Sequence, residues 1–280
     1  MTRYDTIEEL KKHGSEAKTF DEVLKYNPYH GWHGYFSTAN AATSVSGRSG
    51  LGSSSDTALS GGRTGGADRK QRISAAQDRM KGSLKQGAEV SLSAMDPDLA
   101  ERTADAVQKV MEKYPELNDS IKAITCEDER YWALNGNLIG SFDPVDKTIR
   151  LNPAIFGDRG YAEETWKGML ERKHHPEGTP VEAAVVHEMG HAFDLYISQR
   201  LFGGNFRDGN TMSQRLAEKE AKGRTDAEVE ERLSGYATKN SAEMFAEGFS
   251  EYITSPNPRP MAKQLGDGFE SYREQLNGVE

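Results

Sequence analysis

Residues 178–202 read GTPVEAAVVHEMGHAFDLYISQRLF, and this stretch decides the fold. Thr179, Pro180 and Glu182 have the pattern of a helix start, with a cap, a proline at the first helical position and a capping-box glutamate. Apolar residues then recur at helical spacing, at Val181, Ala184, Val185 and Ala192. The stretch therefore predicts a long helix with a buried apolar face.

Inside this helix lies His187-Glu188-Met189-Gly190-His191. Residues four apart on a helix share a face, so both imidazoles can meet one ion. Zinc accepts neutral imidazole nitrogens and leaves one position for water in catalytic sites. Glu188 can reach that water as a general base without being a ligand. The alternative is a surface helix with two histidines, but the apolar flanks favour a buried helix, where unpaired His and Glu would be costly.

The third zinc ligand must be a carboxylate if it lies downstream, because no histidine follows His191. Residues 234–256, SGYATKNSAEMFAEGFSEYITSP, predict a second helix capped by Asn240. Its glutamates are spaced by four, at Glu243, Glu247 and Glu251. We take Glu243 as the ligand. The alternative is that Glu243 only completes a capping box and that the glutamate stripe is solvated.

Further residues could support such a site from behind the ligands. Glu247 could accept the other N–H of a zinc-bound histidine, and Asp194, one turn after His191, competes for that role. Tyr236 precedes Glu243 by seven residues, and its phenol could donate to an oxyanion, although a packed core tyrosine is the alternative. His174 and His175 are interpreted as a solvated loop pair rather than as ligands.

The patterning outside these helices predicts an α+β domain. Asp96 and Pro97 resemble an N-cap and first helical residue of a helix that runs toward Tyr114 and ends before Pro115. Strand-like segments follow at 120–126, 138–142 and 148–151, the last two joined as a hairpin by the turn DPVDK. The chain from Tyr161 onward reads as almost wholly helical.

Composition bounds the organisation of the chain and its partners. Glycine and serine dominate residues 37–66, so we divide the chain into an N-terminal segment (1–36), a flexible linker (37–72) and a folded domain (73–280, core about 96–280). The net charge of −9 argues against nucleic-acid binding. The single Cys126 excludes an internal disulfide and is interpreted as a small buried hydrophobe. No signal peptide and no apolar run of about 20 residues is visible, so no membrane partner is expected.

The motif HEMGHAFD is followed by Tyr236, which lies seven residues before Glu243, the first residue of EMFAEGF. Together these motifs resemble the catalytic domains of anthrax lethal factor and the Pro-Pro endopeptidases. The resemblance covers about residues 127–255 and implies a zincin-like metallopeptidase domain with a small mixed sheet and an active-site helix. It implies one Zn²⁺ held by His187, His191 and Glu243, with Glu188 as the base and Tyr236 assisting. In such peptidases the strand before the metal helix pairs with the backbone of a protein or peptide substrate, which residues 148–152 would do here.

Residues 25–44, KYNPYHGWHGYFSTANAATS, resemble the NPYHDxxGRFTS segment in tail regions of phage minor head proteins. Trp32, His33 and Tyr35 depart from that pattern. The likeness implies association with a prophage or virion, whereas a plain tether is the alternative. The sequence thus predicts a phage-associated zinc endopeptidase, cytoplasmic in the producing cell or virion-associated, behind a disordered N-terminal extension. The alternatives are a toxin protease acting on a host protein and a non-catalytic virion protein with a structural zinc.

Overall fold

The computed structural model describes residues 34–37, 64–127, 129–136, 138–204 and 209–278, which form an α+β fold that is mostly helical. The strands are β1 (Gly34–Ser37), β2 (Glu89–Ser91), β3 (Ala123–Thr125), β4 (Leu138–Asp143) and β5 (Thr148–Leu151). The helices are α1 (Thr64–Ser83), α2 (Pro97–Lys113), α3 (Glu129–Leu134), α4 (Pro153–Phe156), α5 (Arg159–Glu171), α6 (Ala183–Phe202), α7 (Met212–Glu220), α8 (Asp226–Arg232), α9 (Ser241–Thr254) and α10 (Pro260–Asn277). The predicted α+β class is confirmed.

The strands form a small mixed sheet in the order β1-β4-β5-β3-β2. β4 pairs antiparallel with β1 and β5, whereas β3 pairs in parallel with β5 and β2. The predicted hairpin is confirmed, because β5 has the expected bounds and β4 extends only one residue further, to Asp143. β3 is shorter than the predicted segment 120–126, and β2 was not predicted.

The helix predicted after Asp96 is confirmed as α2. The Asp96 side chain accepts hydrogen bonds from the backbone N–H groups of Asp98 and Leu99, and Pro97 holds the first helical position. Pro115 starts a short 3-10 helix, so α2 ends at Lys113. This helix packs against both α1 and α6 and thereby supports the helix that carries the two motif histidines.

Aromatic side chains join α2, α6, α9 and α10 into one core. The rings of Phe193 and Phe269 have centroids 5.1 Å apart, and Tyr114 lies 5.2 Å from Phe193 in an edge-on arrangement. Phe249 of α9 packs 6.0 Å from Phe193. These contacts fix α9 against α6.

Gly190 allows α6 and α9 to approach closely. A Cβ added at Gly190 would lie 3.2 Å from the Cα of Ala246 and 3.3 Å from the Cδ1 of Phe249. Glycine inside a helix costs about 0.5–1 kcal/mol relative to alanine, and here the missing side chain lets the two backbones come together. Since Gly190 lies between the two motif histidines, this contact brings α9 beside them.

We expect Gly190→Val to lower the free energy of unfolding by about 1–3 kcal/mol, because the larger side chain meets the backbone of α9. Urea denaturation of the purified chain would measure this. Gly82→Val in α1 is the control, since a Cβ at Gly82 meets no atom within 4 Å. Equal effects of the two substitutions would contradict the close helix contact.

The predicted boundary of the linker at residue 72 is wrong. Helix α1 begins at Thr64, and its apolar Ile73, Ala76 and Met80 are buried in the core, which stabilises a helix that the composition of residues 37–66 did not predict. The ordered domain also reaches back through β2, ahead of the predicted core start near residue 96. Residues 1–33 and 38–63, with most of the predicted extension and linker, lie outside the described residues.

Two expectations drawn from composition can be compared with the structure. Cys126 is fully buried, and burial raises the pKa of its thiol to about 12, so the prediction of a small buried hydrophobe is confirmed. Within the described residues, none of the helices combines the length and apolar character that a membrane span requires.

Candidate metal centre

Helix α6 carries the two motif histidines but begins later than predicted. Thr179 does not cap it, because its hydroxyl donates to the carbonyl of Pro176 at 2.7 Å. Glu182 forms an ion pair with Arg102 of α2 at 2.6 Å and does not take part in a capping box. Among the described residues, no side chain caps this helix, and a turn through 180–182 leads into it at Ala183.

Helix α9 brings Glu243 to the histidines. Asn240 is the N-cap, as predicted, and accepts the backbone N–H of Glu243 at 2.9 Å. The side chain of Glu243 points toward the imidazoles, so the alternative of a mere capping-box residue does not describe it. The predicted alternative of a solvated glutamate stripe is wrong, because Glu243, Glu247 and Glu251 are all buried.

The three predicted ligand atoms form a compact triangle. Nε2 of His187 lies 3.1 Å from Nε2 of His191 and 3.1 Å from Oε2 of Glu243, and Nε2 of His191 lies 3.4 Å from the same carboxylate oxygen. Tetrahedral zinc with bonds of about 2.0–2.1 Å separates its ligand atoms by about 3.3–3.4 Å. The described residues therefore fit a zinc ion, since one ion could contact all three atoms after shifts of a few tenths of an ångström.

The charge around the triangle also favours a cation. Burial lowers the pKa of His187, but the neighbouring Glu243 and Glu247 outweigh it and raise that pKa to about 10. Glu243 itself is buried, yet His191 and His187 hold its pKa below the ordinary value. The two carboxylates thus stabilise a proton on His187 in a buried site. A divalent ion can provide that positive charge in place of the proton.

Glu247 stands behind His187 as predicted from its position one turn after Glu243. Its Oε1 lies 2.9 Å from Nδ1 of His187, which leaves the Nε2 of that ring for a metal. Ser234 donates its hydroxyl to Oε2 of Glu247 at 2.7 Å. Burial raises the pKa of Glu247, but His175 and His187 outweigh it and lower that pKa, so the carboxylate stays ionised.

The interpretation of His174 and His175 as a solvated pair is wrong for His175. This ring is fully buried, stacks on Trp166 with centroids 4.9 Å apart, and has its Nδ1 3.2 Å from Glu247. Backbone N–H groups of Gly235 and Tyr236 donate to the carbonyls of Lys173 and His174, which folds the loop inward. His175, Trp166 and Ser234 are the supporting residues that sequence reasoning missed, because no local spacing links them to the motif.

We expect Glu247→Gln to weaken zinc binding by about 10- to 100-fold, because an amide is a poorer acceptor for the N–H of His187. Competition with a chromophoric chelator would measure the affinity. Ser234→Ala should have a smaller effect of the same sign, since it removes only a donor to Glu247. An unchanged affinity in Glu247→Gln would show that this contact does not tune the ligand.

Glu188 is completely buried on the side of α6 that faces the sheet. A Cβ added at Gly140 of β4 would lie 3.0 Å from its Oε1, so a larger residue at this position would crowd the carboxylate. Neither oxygen of Glu188 has a hydrogen-bond partner of good geometry among the described residues. Burial raises the pKa of Glu188 well above the ordinary value, against the effect of His187. A carboxyl group in this state is suited to taking up a proton.

Tyr236 lies beside the three candidate ligand residues, with its ring centroid 6.1 Å from that of His187. Burial, and then the negative charges of Glu243 and Glu188, raise the pKa of its phenol well above 10. The phenol therefore keeps its proton and can donate a hydrogen bond. Tyr236 is also 6% exposed, so the alternative of a packed tyrosine describes its burial but not its acidic neighbours.

Asp194, the competing candidate behind the histidines, has different contacts. Its Oδ1 accepts from the Ser198 hydroxyl at 3.1 Å and from the backbone N–H of Ser213 at 2.9 Å. These bonds join α6 to the start of α7. Asp194 therefore anchors a neighbouring helix, while Glu247 holds the position behind His187.

The prediction that residues 148–152 pair with a substrate backbone is wrong. β5 lies between β4 and β3, and both of its edges are used in the sheet. Asn152 continues this pattern, since its N–H donates to the carbonyl of Ile139. The strand beside Glu188 is β4. Its position next to Glu188 was not predicted, because the order of strands in a sheet is a tertiary property.

Comparison of the chain with protein-family models finds no match, and comparison with curated proteins finds none. The geometry of the described residues is therefore the basis for the functional argument.

Proposed function

We propose that this chain is a zinc-dependent endopeptidase. The observation that carries the proposal is the triangle of His187, His191 and Glu243, whose edges of 3.1, 3.1 and 3.4 Å suit one tetrahedral ion. Three protein ligands leave a fourth position for water or substrate, as in catalytic zinc sites. The buried Glu188, adjacent to His187 but outside the triangle, supports a catalytic role over a structural one, because a structural site has no use for it.

The proposed reaction is hydrolysis of a peptide bond. A zinc ion held by His187, His191 and Glu243 would supply Lewis acidity that acidifies water and polarises a carbonyl. Glu188 takes the proton of the attacking water as the new C–O bond forms, and it transfers that proton to the leaving amine as the C–N bond breaks. Tyr236 keeps its proton and donates a hydrogen bond to the oxyanion that develops on the carbonyl oxygen.

The supporting residues hold the base and the ligands in place. Glu247 fixes the ring of His187 through Nδ1, and His175 and Ser234 in turn hold Glu247. Gly140 leaves room for the Glu188 carboxylate at the sheet. Each of these contacts reduces the number of orientations that the reacting groups can adopt.

The biological setting stays a prediction from resemblance. The likeness of residues 25–44 to phage minor head proteins falls mostly outside the described residues and includes β1. We propose a phage-associated role, with a host-directed toxin as the alternative. Expression of the wild-type chain in the cytoplasm of a bacterial host, compared with the inactive Glu188→Gln chain, would favour the toxin if only the wild type stops growth.

Metal removal and return tests the proposed function directly. The purified chain should contain about one zinc per chain, and it should cleave members of a diverse peptide library. A chelator should abolish cleavage and lower the melting temperature, and stoichiometric zinc should restore both. A chain that binds zinc but cleaves no peptide would favour the non-catalytic alternative, and a chain that binds no zinc would refute the metal centre.

A further inference from the structure

Strand β1 lies along the outer edge of β4, the strand nearest to Glu188. The pairing is antiparallel, with Phe36 opposite Gly140 and Tyr35 opposite Ser141. The position of a Cβ at Gly140 is 3.0 Å from the Glu188 carboxylate. Paired strands lie about 4.7–4.9 Å apart. The backbone of β1 therefore passes at about this distance from Gly140, which lies beside the carboxylate of Glu188.

The same strand also contacts the metal-binding helix. β1 contacts α6 as well as β4, so it lies where the sheet edge meets the helix that carries the histidines. The three candidate ligand residues are closed to solvent, with His187 at 0%, His191 at 1% and Glu243 at 4% exposure. A peptide cannot reach these ligands in this arrangement unless a covering segment moves.

β1 comes from a distant part of the chain. Residues 38–63 separate it from α1, and a whole α/β unit lies between it and β4. An extended segment that adds to a sheet edge in this way uses the geometry by which peptides are bound through strand addition. Main-chain hydrogen bonds provide the affinity in that mode, so a foreign peptide could occupy the same edge.

We propose that residues 34–37 occupy the place of a substrate backbone on β4 and thereby hold the metal centre closed. The substrate is accordingly an extended peptide segment that pairs antiparallel with residues 138–143. This inference rests on the proposed peptidase function. It adds the class of substrate, an extended peptide, and regulation of the site by a segment of the same chain. Release of β1 opens the site.

A tethered occupant needs only weak intrinsic affinity to block the edge. A segment joined covalently to its site has an effective concentration of about the millimolar range. A peptide added from outside at micromolar concentration therefore displaces it from only a small fraction of the chains. The full-length chain should be a weak peptidase until the pairing of β1 is broken.

The test uses three versions of the full-length, zinc-loaded chain: wild type, Tyr35→Pro/Phe36→Pro, and Tyr35→Val/Phe36→Val as the matched control. Proline removes the backbone N–H at two successive positions, one of which faces β4, whereas valine keeps both and favours a strand. The probe is a fluorescent peptide with the sequence of residues 30–41, HGWHGYFSTANA. The readouts are amide hydrogen exchange in residues 138–143, binding of the probe by anisotropy, and its cleavage.

We expect the proline chain to show at least tenfold faster exchange in β4 and at least tenfold tighter binding of the probe than the valine chain. Exchange and binding equal to those of the valine chain would overturn the proposal. So would fast exchange of β4 in the wild-type chain, a measurement that does not depend on any variant. Equal zinc content in the three chains shows that the substitutions leave the domain folded.

The cleavage readout separates this inference from the proposed function. If exchange and binding rise in the proline chain but no version cleaves the probe or a peptide library, β1 occupies the edge as proposed and the peptidase function is wrong. If wild type and the proline chain cleave a library at the same rate, the peptidase function stands and the occupancy of β4 by residues 34–37 is wrong.

Discussion

Glu188→Gln should lower the peptidase rate by about 10²- to 10⁴-fold while the chain keeps its zinc, because glutamine cannot take up the proton of water. Glu188 is fully buried, lies outside the triangle of ligand atoms and has a pKa raised by burial. Among the described residues, the buried carboxylate of Glu188 has no hydrogen-bond partner of good geometry. The substitution replaces it with a neutral amide of the same shape. The folded state should therefore be unaffected or more stable.

The measurement is the cleavage rate of a peptide selected from the library, together with zinc content and melting temperature. Glu182→Gln is the matched control, since it makes the same change one residue before α6 begins and loses only an ion pair with Arg102. Its cleavage rate should equal that of the wild type. Full activity of Glu188→Gln with zinc bound would refute the role of Glu188 as the base.

Glu243→Gln should remove zinc from the chain under conditions in which the wild type retains it. The carboxylate oxygen of Glu243 forms two edges of the ligand triangle, at 3.1 Å to His187 and 3.4 Å to His191. Removal of a group that hydrogen-bonds to a ligand weakens metal binding by about 10- to 100-fold. Loss of the ligand itself should weaken zinc binding further. Peptidase activity should fall with the zinc.

Glu251→Gln provides a control on the same helix, two turns further along. Glu251 is also fully buried, but its carboxylate binds Arg259 at 2.8 Å and does not reach the histidines. We expect it to lower the free energy of unfolding and to leave one zinc per chain. Elemental analysis after dialysis against a weak chelator distinguishes the two variants, and retention of zinc by Glu243→Gln would show that Glu243 is not a ligand.

Much of the local structure was predicted from short-range patterns. The cap and first residue of α2, the hairpin of β4 and β5, and the Asn240 cap of α9 follow from residues within a few positions of one another. The buried face of α9 follows from its apolar spacing. Errors arose where side chains have other partners, since Glu182 pairs with Arg102 of α2 instead of completing a capping box, and α6 begins only at Ala183.

Helix α1 shows a second reason for error. The composition of residues 37–66 suggested a linker that ends at residue 72, but the helix begins at Thr64, because Ile73, Ala76 and Met80 further along it pack into a core that α2 completes. A helix with few apolar residues is stable when another element covers each of them. Likewise the loop with His175 has no pattern of its own, and its burial depends on Trp166 and on backbone bonds to residues 235–236.

The sequence by itself determined that His187 and His191 share one face of a helix with Glu188 between them, because helical periodicity places residues four apart side by side. It also limited a downstream third ligand to a carboxylate, since no later histidine exists. Only the tertiary structure decided that Glu243, 56 residues away, closes the triangle, that Glu247 joins His187 to His175, and that β1 pairs with the edge of β4. These are contacts between distant segments, set by how helices and strands pack, and spacing along the chain does not encode them.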